Sequence, residues 1–188
     1  MKDVEIINKI SQYPKEWYSL KELAQILPIK KTSLRTVVAR LAKRGVLQKI
    51  SRGKYAIYGK KILPEVIACQ IYYPCYLSLK TVLSRHGVIN QIPRQIQLVT
   101  SRKSQRVSIM GNEIIYRQIK PGLYWGYFKQ SAYPEKALLD LLYYVSLGKE
   151  TVSLNELDLA RLDRKRLQSF SRKFPPKVKN LVKQLLIV

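Results

Sequence analysis

Residues 30–58 read KKTSLRTVVARLAKRGVLQKISRGKYAIY, and this stretch decides the fold of the amino-terminal part of the chain. At about 100° per residue, Leu34, Val37, Val38, Leu41 and Ala42 fall on one side of a helix, spaced i, i+3, i+4, i+7, i+8, which is the stripe of a core-facing helix. The opposite side carries Thr32, Arg35, Thr36, Ala39, Arg40 and Lys43, and no carboxylate occurs between Glu22 and Glu65. A solvated helix usually mixes signs so that charges at i, i+4 support one another. Here the cations are left to an outside partner. Gly45 ends the helix as its C′ residue. Val46–Ile50 and Tyr55–Tyr58 then read as two strands about the four-residue, Gly-containing connection Ser51-Arg52-Gly53-Lys54.

Working outward, Ser19 caps a short helix carrying Leu20, Leu23, Ala24, Ile26 and Leu27, with Glu22 at the capping-box spacing. Pro28 breaks that helix, so two helices meet across a tight turn as a helix-turn-helix. Val4, Ile6, Ile7 and Ile10 give a further amphipathic helix that closes a three-helix core. The expectation is a winged helix-turn-helix over residues 1–60 whose third helix enters a DNA groove. Arg35 and Arg40 are the candidates for base edges, since guanidinium reads guanine bidentately. Thr32, Ser33 and Thr36, near the helix N-terminus, suit phosphate or a thymine methyl. Lys30, Lys31, Lys43, Arg44, Arg52 and Lys54 suit the phosphate backbone.

Charge points to the same partner. The 188 residues hold 35 Lys and Arg against 12 Asp and Glu, a formal charge of +23, with a pI near 10.1. A field of that sign attracts polyanions. The excess is shared, +11 over residues 1–62 and +12 over residues 63–188. A basic RNA-binding or ribosome-associated protein would look similar by charge alone, as would a winged-helix regulator unrelated to any toxin.

The boundary is expected at Gly59–Pro64, with residues 61–188 forming a second, α+β part that contains a small antiparallel sheet and carboxy-terminal helices. Glu65–Tyr73 and Tyr76–Arg85 read as helices. Gln95–Thr100, Arg106–Met110, Glu113–Ile119 and Tyr124–Lys129 read as strands, with turns at Met110–Glu113 and Pro121-Gly122. Pro134 opens a helix over Glu135–Leu147, and another follows Pro175-Pro176. Arg94, Arg102, Lys103 and Arg106 cluster around the first two of these strands as a possible second DNA surface.

No chemistry-bearing constellation is evident. Cys69 and Cys75 read as two small buried residues, not as a zinc or disulfide framework. His86 reads as a helix-end residue, and Glu135 as a complement to a helix dipole, with Asp140 on a different face. No phosphate loop or dinucleotide fingerprint is present, so neither an enzyme nor a cofactor or metal is expected. No signal segment or apolar run of about 18 residues suggests a membrane, and the expected location is cytoplasmic.

The residues Tyr76-Leu77-Ser78-Leu79, Ser84-Arg85-His86-Gly87, Gln91-Ile92-Pro93-Arg94 and Ser131–Asp140 (SAYPEKALLD), behind a helix-turn-helix, give the chain a resemblance to the AbiEi family. Those proteins are antitoxins of abortive-infection, type IV toxin-antitoxin systems. The resemblance implies an autorepressor that binds inverted repeats of its own promoter in double-stranded DNA. It also implies opposition to a nucleotidyltransferase-like toxin, commonly without a stable complex. The number of chains on the operator stays open. Two departures are Ala132-Tyr133, where the family more often has Ser directly before the Pro, and the very basic tail after Gly148.

Overall fold

The computed structural model describes residues 2–187, with the side chains of Lys31, Leu154 and Ile187 outside the description. The fold is mixed α/β, and the chain divides into two compact units. One comprises the residues up to Ile67 with Ser108–Gly111, the other Ala68–Val107 with the residues from Asn112 on.

The first unit runs α1 (Asp3–Ser11), β1 (Tyr18–Ser19), α2 (Leu20–Ile26), α3 (Lys31–Lys43), β2 (Leu47–Ser51) and β3 (Lys54–Ile57). Its core gathers Ile6, Ile10, Leu23, Leu27, Leu34, Val38 and Leu41 from the helices and Val46, Leu47 and Ile57 from the strand region. Val4, expected in the core stripe of α1, is instead exposed. At about 100° per residue it stands about 200° from Ile6, on the opposite side of the helix. Ser19 accepts from Glu22 N at 3.2 Å and Ser19 N donates to Glu22 Oε2 at 2.7 Å, so the capping box forms as the spacing requires. Hydrogen bonding from Lys15, and then from Ser19, holds the Glu22 carboxyl down at about 2.

The strand β1 has no counterpart in the sequence reading. It pairs Tyr18 with Tyr55 and Ser19 with Lys54, turning the β2–β3 hairpin into a three-stranded antiparallel sheet of order β1-β3-β2. Two residues are too few to show a period-2 pattern. What fixes them is Tyr18, 1% exposed, whose hydroxyl bonds back to the carbonyls of Ile10 and Tyr13.

The chain continues with α4 (Pro64–Ile71), β4 (Cys75–Leu77), α5 (Leu79–Arg85), β5 (Gln95–Thr100), β6 (Gln105–Ile109), β7 (Asn112–Gln118), β8 (Tyr127–Phe128), β9 (Ser131–Ala132), α6 (Pro134–Ser146), α7 (Arg164–Ser171) and α8 (Pro176–Ile187). The contact boundary therefore falls within α4. The sheet is six-stranded, ordered β6-β7-β5-β4-β9-β8, and it is mixed, not the small antiparallel sheet expected. β5 runs parallel to β7 and β4 parallel to β9, while β4–β5 and β8–β9 are antiparallel.

Burial explains the order. In β7, Ile114, Ile115 and Tyr116 are consecutively buried, and β5 is buried from Gln97 to Thr100. Strands covered on both faces pair centrally, whereas β6 alternates toward solvent and stays at the edge. The segment expected to continue a helix from Tyr76 is strand first. Cys75, Tyr76 and Leu77 are all buried, and α5 starts only at Leu79. Of the strand expected over Tyr124–Lys129, only Tyr127–Phe128 forms, after a 3-10 turn at Pro121–Leu123.

A buried polar network ties this unit together. Lys136 and Asp140, one turn apart on α6, form an ion pair with both side chains 0% exposed. Asp140 also accepts from Ser78 Oγ at 2.8 Å and Tyr76 Oη at 3.1 Å, and Lys136 Nζ donates to Tyr76 Oη at 3.0 Å. Burial pushes the Asp140 carboxyl above its ordinary range and the Lys136 ammonium below its own, each opposed by the partner's charge. One residue earlier, Glu135 accepts from Asp163 N at 2.9 Å and faces Arg166 at 3.6 Å, fastening the start of α7 to α6. Glu135 thus does more than complement the dipole.

Asp140→Asn should leave a buried ammonium without its counter-charge and cost about 3 to 5 kcal/mol, read as a shift in the denaturation midpoint; a loss under about 1 kcal/mol would mean the site is wet or the pair unformed. Ser19→Ala should cost about 1 kcal/mol through loss of the cap, measured the same way.

Candidate nucleic-acid interface

The site is built on α3. Its core side buries Leu34, Val38 and Leu41, with Val37 and Ala42 half-buried. This amphipathic burial turns Thr32, Ser33, Arg35, Thr36, Ala39, Arg40 and Lys43 outward, and all are exposed. Arg35, Thr36, Ala39, Arg40 and Lys43 line one shallow depression of about 450 Å³ along the helix. The side chain of Lys31 lies outside the described residues.

Of the cations expected to be free, Arg35, Arg40 and Lys43 make no ion pair among the described residues, and Lys30 is exposed just ahead of the helix. Arg44 is different. At the C-cap of α3 its guanidinium meets Asp3 at 2.6 Å, so its charge is already answered by α1. Asp3 is 41 residues away, which puts the pairing beyond reach of a sequence-local reading. Both side chains are partly exposed, so the bridge is weak and exchangeable.

The β2–β3 hairpin supplies the remaining groups. Gly53 sits at its turn with φ +71°, the left-handed region that glycine enters freely, and its carbonyl accepts from Leu20 N at 3.0 Å. A register shift between Lys49 and Ser51 bends the strand. Arg52 is exposed at the tip, while Lys54 is half-buried with its ammonium 5.7 Å from the Trp17 ring. Trp17 and Lys54 lie too far apart along the chain for any local pattern to foreshadow that contact.

The second group expected, Arg94, Arg102, Lys103 and Arg106, is less uniform. All four are exposed, but Arg106 pairs with Glu113 at 3.1 Å. Arg102 lies 4.3 Å over the Tyr72 ring and donates to Tyr73 O at 3.2 Å. The Lys103 carbonyl accepts from Tyr72 Oη at 2.9 Å. Glu113 answers one of these four charges, and the Tyr72 ring holds Arg102 in place without removing its charge.

The other sequence candidates have structural settings. His86 is the exposed C-cap of α5. Cys69 and Cys75 are buried thiols not joined in a disulfide, and the Cys75 thiol is pushed up by its hydrogen bond with Cys69 and by burial. Among the described residues no group of three or more His, Cys, Asp or Glu could hold a metal ion, and no helix is long and apolar enough to cross a membrane. No protein-family model matches the chain, and no curated protein matches it in sequence.

The two sides of α3 should separate in stability measurements. Arg35→Ala, Arg40→Ala and Lys43→Ala should each change stability by less than about 0.5 kcal/mol, whereas Leu34→Ala should cost about 2 to 5 kcal/mol. A large loss for Arg40→Ala would show that its side chain supports the fold.

Proposed function

We propose that the first unit is a winged helix-turn-helix that reads duplex DNA, and that the protein is a transcriptional regulator acting as autorepressor and antitoxin of an AbiEi-like pair. The observation that carries the DNA reading is the outward side of α3, with Arg35, Arg40 and Lys43 exposed and unpaired, beside a hairpin whose tip carries Arg52. A helix about 10 to 12 Å wide fits the major groove of B-form DNA, and a cationic hairpin beside it reaches the flanking phosphates.

In this reading Arg35 and Arg40 address base edges. Thr32, Ser33 and Thr36 sit over the helix N-terminus, where the backbone dipole favours an anion. Lys30, Lys43, Arg52 and Lys54 neutralise phosphates. Arg44 contributes after exchanging Asp3 for phosphate, a trade between two exposed ion pairs. The antitoxin part rests on the motif residues Tyr76–Leu79 and Ser131–Asp140, and a nucleotidyltransferase-like reading frame beside the gene would support it.

The test is a titration of full-length protein against a duplex from its own promoter, a random duplex and a structured RNA. The promoter duplex should bind best, and log K should fall against log salt with a slope of about −0.9 per phosphate contacted. Arg35→Ala should lose about 1 to 3 kcal/mol on the promoter and little on random DNA, while Lys43→Ala should weaken both alike. Preference for the RNA, or a flat salt response, would overturn the reading.

A further inference from the structure

The second unit carries a surface that duplex recognition does not use. β8 and β9 form a hairpin pairing Tyr127 with Ala132 and Phe128 with Ser131. Tyr127 stacks on Tyr76 at 4.6 Å and stays 39% exposed, and alternation along the strands puts Phe128 on the other side with Ser131 and Tyr133. Phe128 is 63% exposed and Tyr133 40%. The turn between the strands places Lys129 and Gln130 at φ +45° and +64°. Two consecutive non-glycine residues in the left-handed region cost about 1 to 2 kcal/mol each, and such strain concentrates at functional sites.

From Tyr133 the rings continue. Tyr133 lies 6.4 Å from Phe170, and Phe170 lies 5.0 Å from Trp125, which is 6.0 Å from Phe174. Cations cover the row. Lys129 lies over Phe128, Arg166 over Tyr133 at 5.1 Å, and Lys173 over Trp125 at 4.6 Å. The row opens into a depression of about 500 Å³ lined by Lys120, Arg172, Lys173 and Lys179 around Phe174. No carboxylate occurs between Glu113 and Glu135, and from Arg164 to the end of the chain there are eight basic residues and no acidic one.

We propose that this surface binds single-stranded nucleic acid, with unpaired bases stacking on Phe128 and Tyr133 and phosphates held at Arg172, Lys173 and their neighbours. Exposed rings interleaved with cations match a flexible polyanion whose repeating units each present a flat π-face. A duplex keeps its bases stacked on one another and offers those rings nothing. An apolar protein partner would have to desolvate the Lys129 and Lys173 ammonium groups beside Phe128 and Trp125. RNA and single-stranded DNA share the chemistry, and the test separates them.

Full-length protein is titrated with labelled thymidine and uridine homopolymers of about 20 nucleotides. Binding to either supports the proposal, and the tighter of the two identifies the natural strand. Phe128→Ala, at an exposed position, should weaken binding about tenfold or more, and Arg172→Glu with Lys173→Glu should also flatten the salt dependence. Arg40→Ala on α3 should weaken promoter-duplex binding and leave homopolymer binding unchanged, so that this inference and the duplex reading fail separately. Homopolymer binding insensitive to Phe128→Ala, dependent on Arg40, or displaced equally well by polyglutamate would overturn the proposal. So would association of a protein partner that is lost in Phe128→Ala while homopolymer binding persists.

Discussion

The second unit is organised around one constraint, the need to satisfy a lysine and an aspartate that are both sealed from water. Moving either ion from water into a protein interior costs several kcal/mol, and only close pairing with further hydrogen bonds recovers it. Lys136 and Asp140 meet that condition by drafting Tyr76 from β4 and Ser78 from the start of α5. Strand, helix start and α6 are thereby fixed in one arrangement, because any displacement strands a charge. Gly126 belongs to the same constraint. A Cβ there would stand 3.0 Å from Lys136 Cγ, so only glycine lets the loop before β8 close over the lysine stem. The Trp125 and Phe174 rings complete the enclosure, 5.3 and 5.2 Å from Lys136 Nζ. The loop that presents Phe128 and Tyr133 is therefore held from beneath by a buried cation.

Charge is handled oppositely in the first unit. There the core is apolar, apart from the Tyr18 hydroxyl bonded to backbone carbonyls, and the basic residues stand in solvent. Arg40 and Lys43 lie three residues apart on the outward side of α3, and like charges at that spacing weaken a helix by a few tenths of a kcal/mol per pair. The helix tolerates this because burial of a Leu or Ile contributes about 1.5 to 3 kcal/mol, several-fold more than the repulsion. An acid placed at Ala39 would relieve the repulsion, and the chain has none until Glu65. The cost of Arg35, Arg40 and Lys43, which make no ion pair among the described residues, is thus small beside the burial of the helix's other side.

What could be read from the sequence was what repeats locally. The i, i+3, i+4 stripe of Leu34, Val38 and Leu41, the Ser19–Glu22 box, Gly45 with φ +72° after α3, and Pro134 opening α6 are all decided within one or two helical turns. What escaped was decided at long range. Asp3 neutralises Arg44 across 41 residues, and Tyr76 reaches Asp140 across 64. The mixed sense of the sheet escaped for a related reason. Consecutive strands suggest a meander, but the buried run of Ile114, Ile115 and Tyr116 needs cover on both faces, which displaces β6 to the edge. Tyr76-Leu77-Ser78 was misread as helix because three buried residues carry no period. Tyr76 and Ser78 did stand out in one motif and Lys136 and Asp140 in another; only the fold shows that the two motifs are halves of one network.

Two basic surfaces, proposed for two different nucleic acids, raise the question of how one chain would keep such ligands apart when a formal charge of +23 attracts every polyanion. Screening answers part of it, since charges beyond about 8 Å are damped at physiological ionic strength. Long-range attraction then speeds encounter, and local groups decide what stays. On α3 the exposed groups are guanidinium, ammonium and hydroxyl, hydrogen-bond donors suited to base edges and phosphates of a regular groove, with Ala39 the only apolar residue among the described ones lining the depression. At the β8–β9 hairpin the exposed groups include ring faces, which gain nothing from a stacked duplex. Under the two proposed readings the same phosphate chemistry sorts by what accompanies it: donors in fixed helical register suit a duplex, and rings beside cations suit strands whose bases are free.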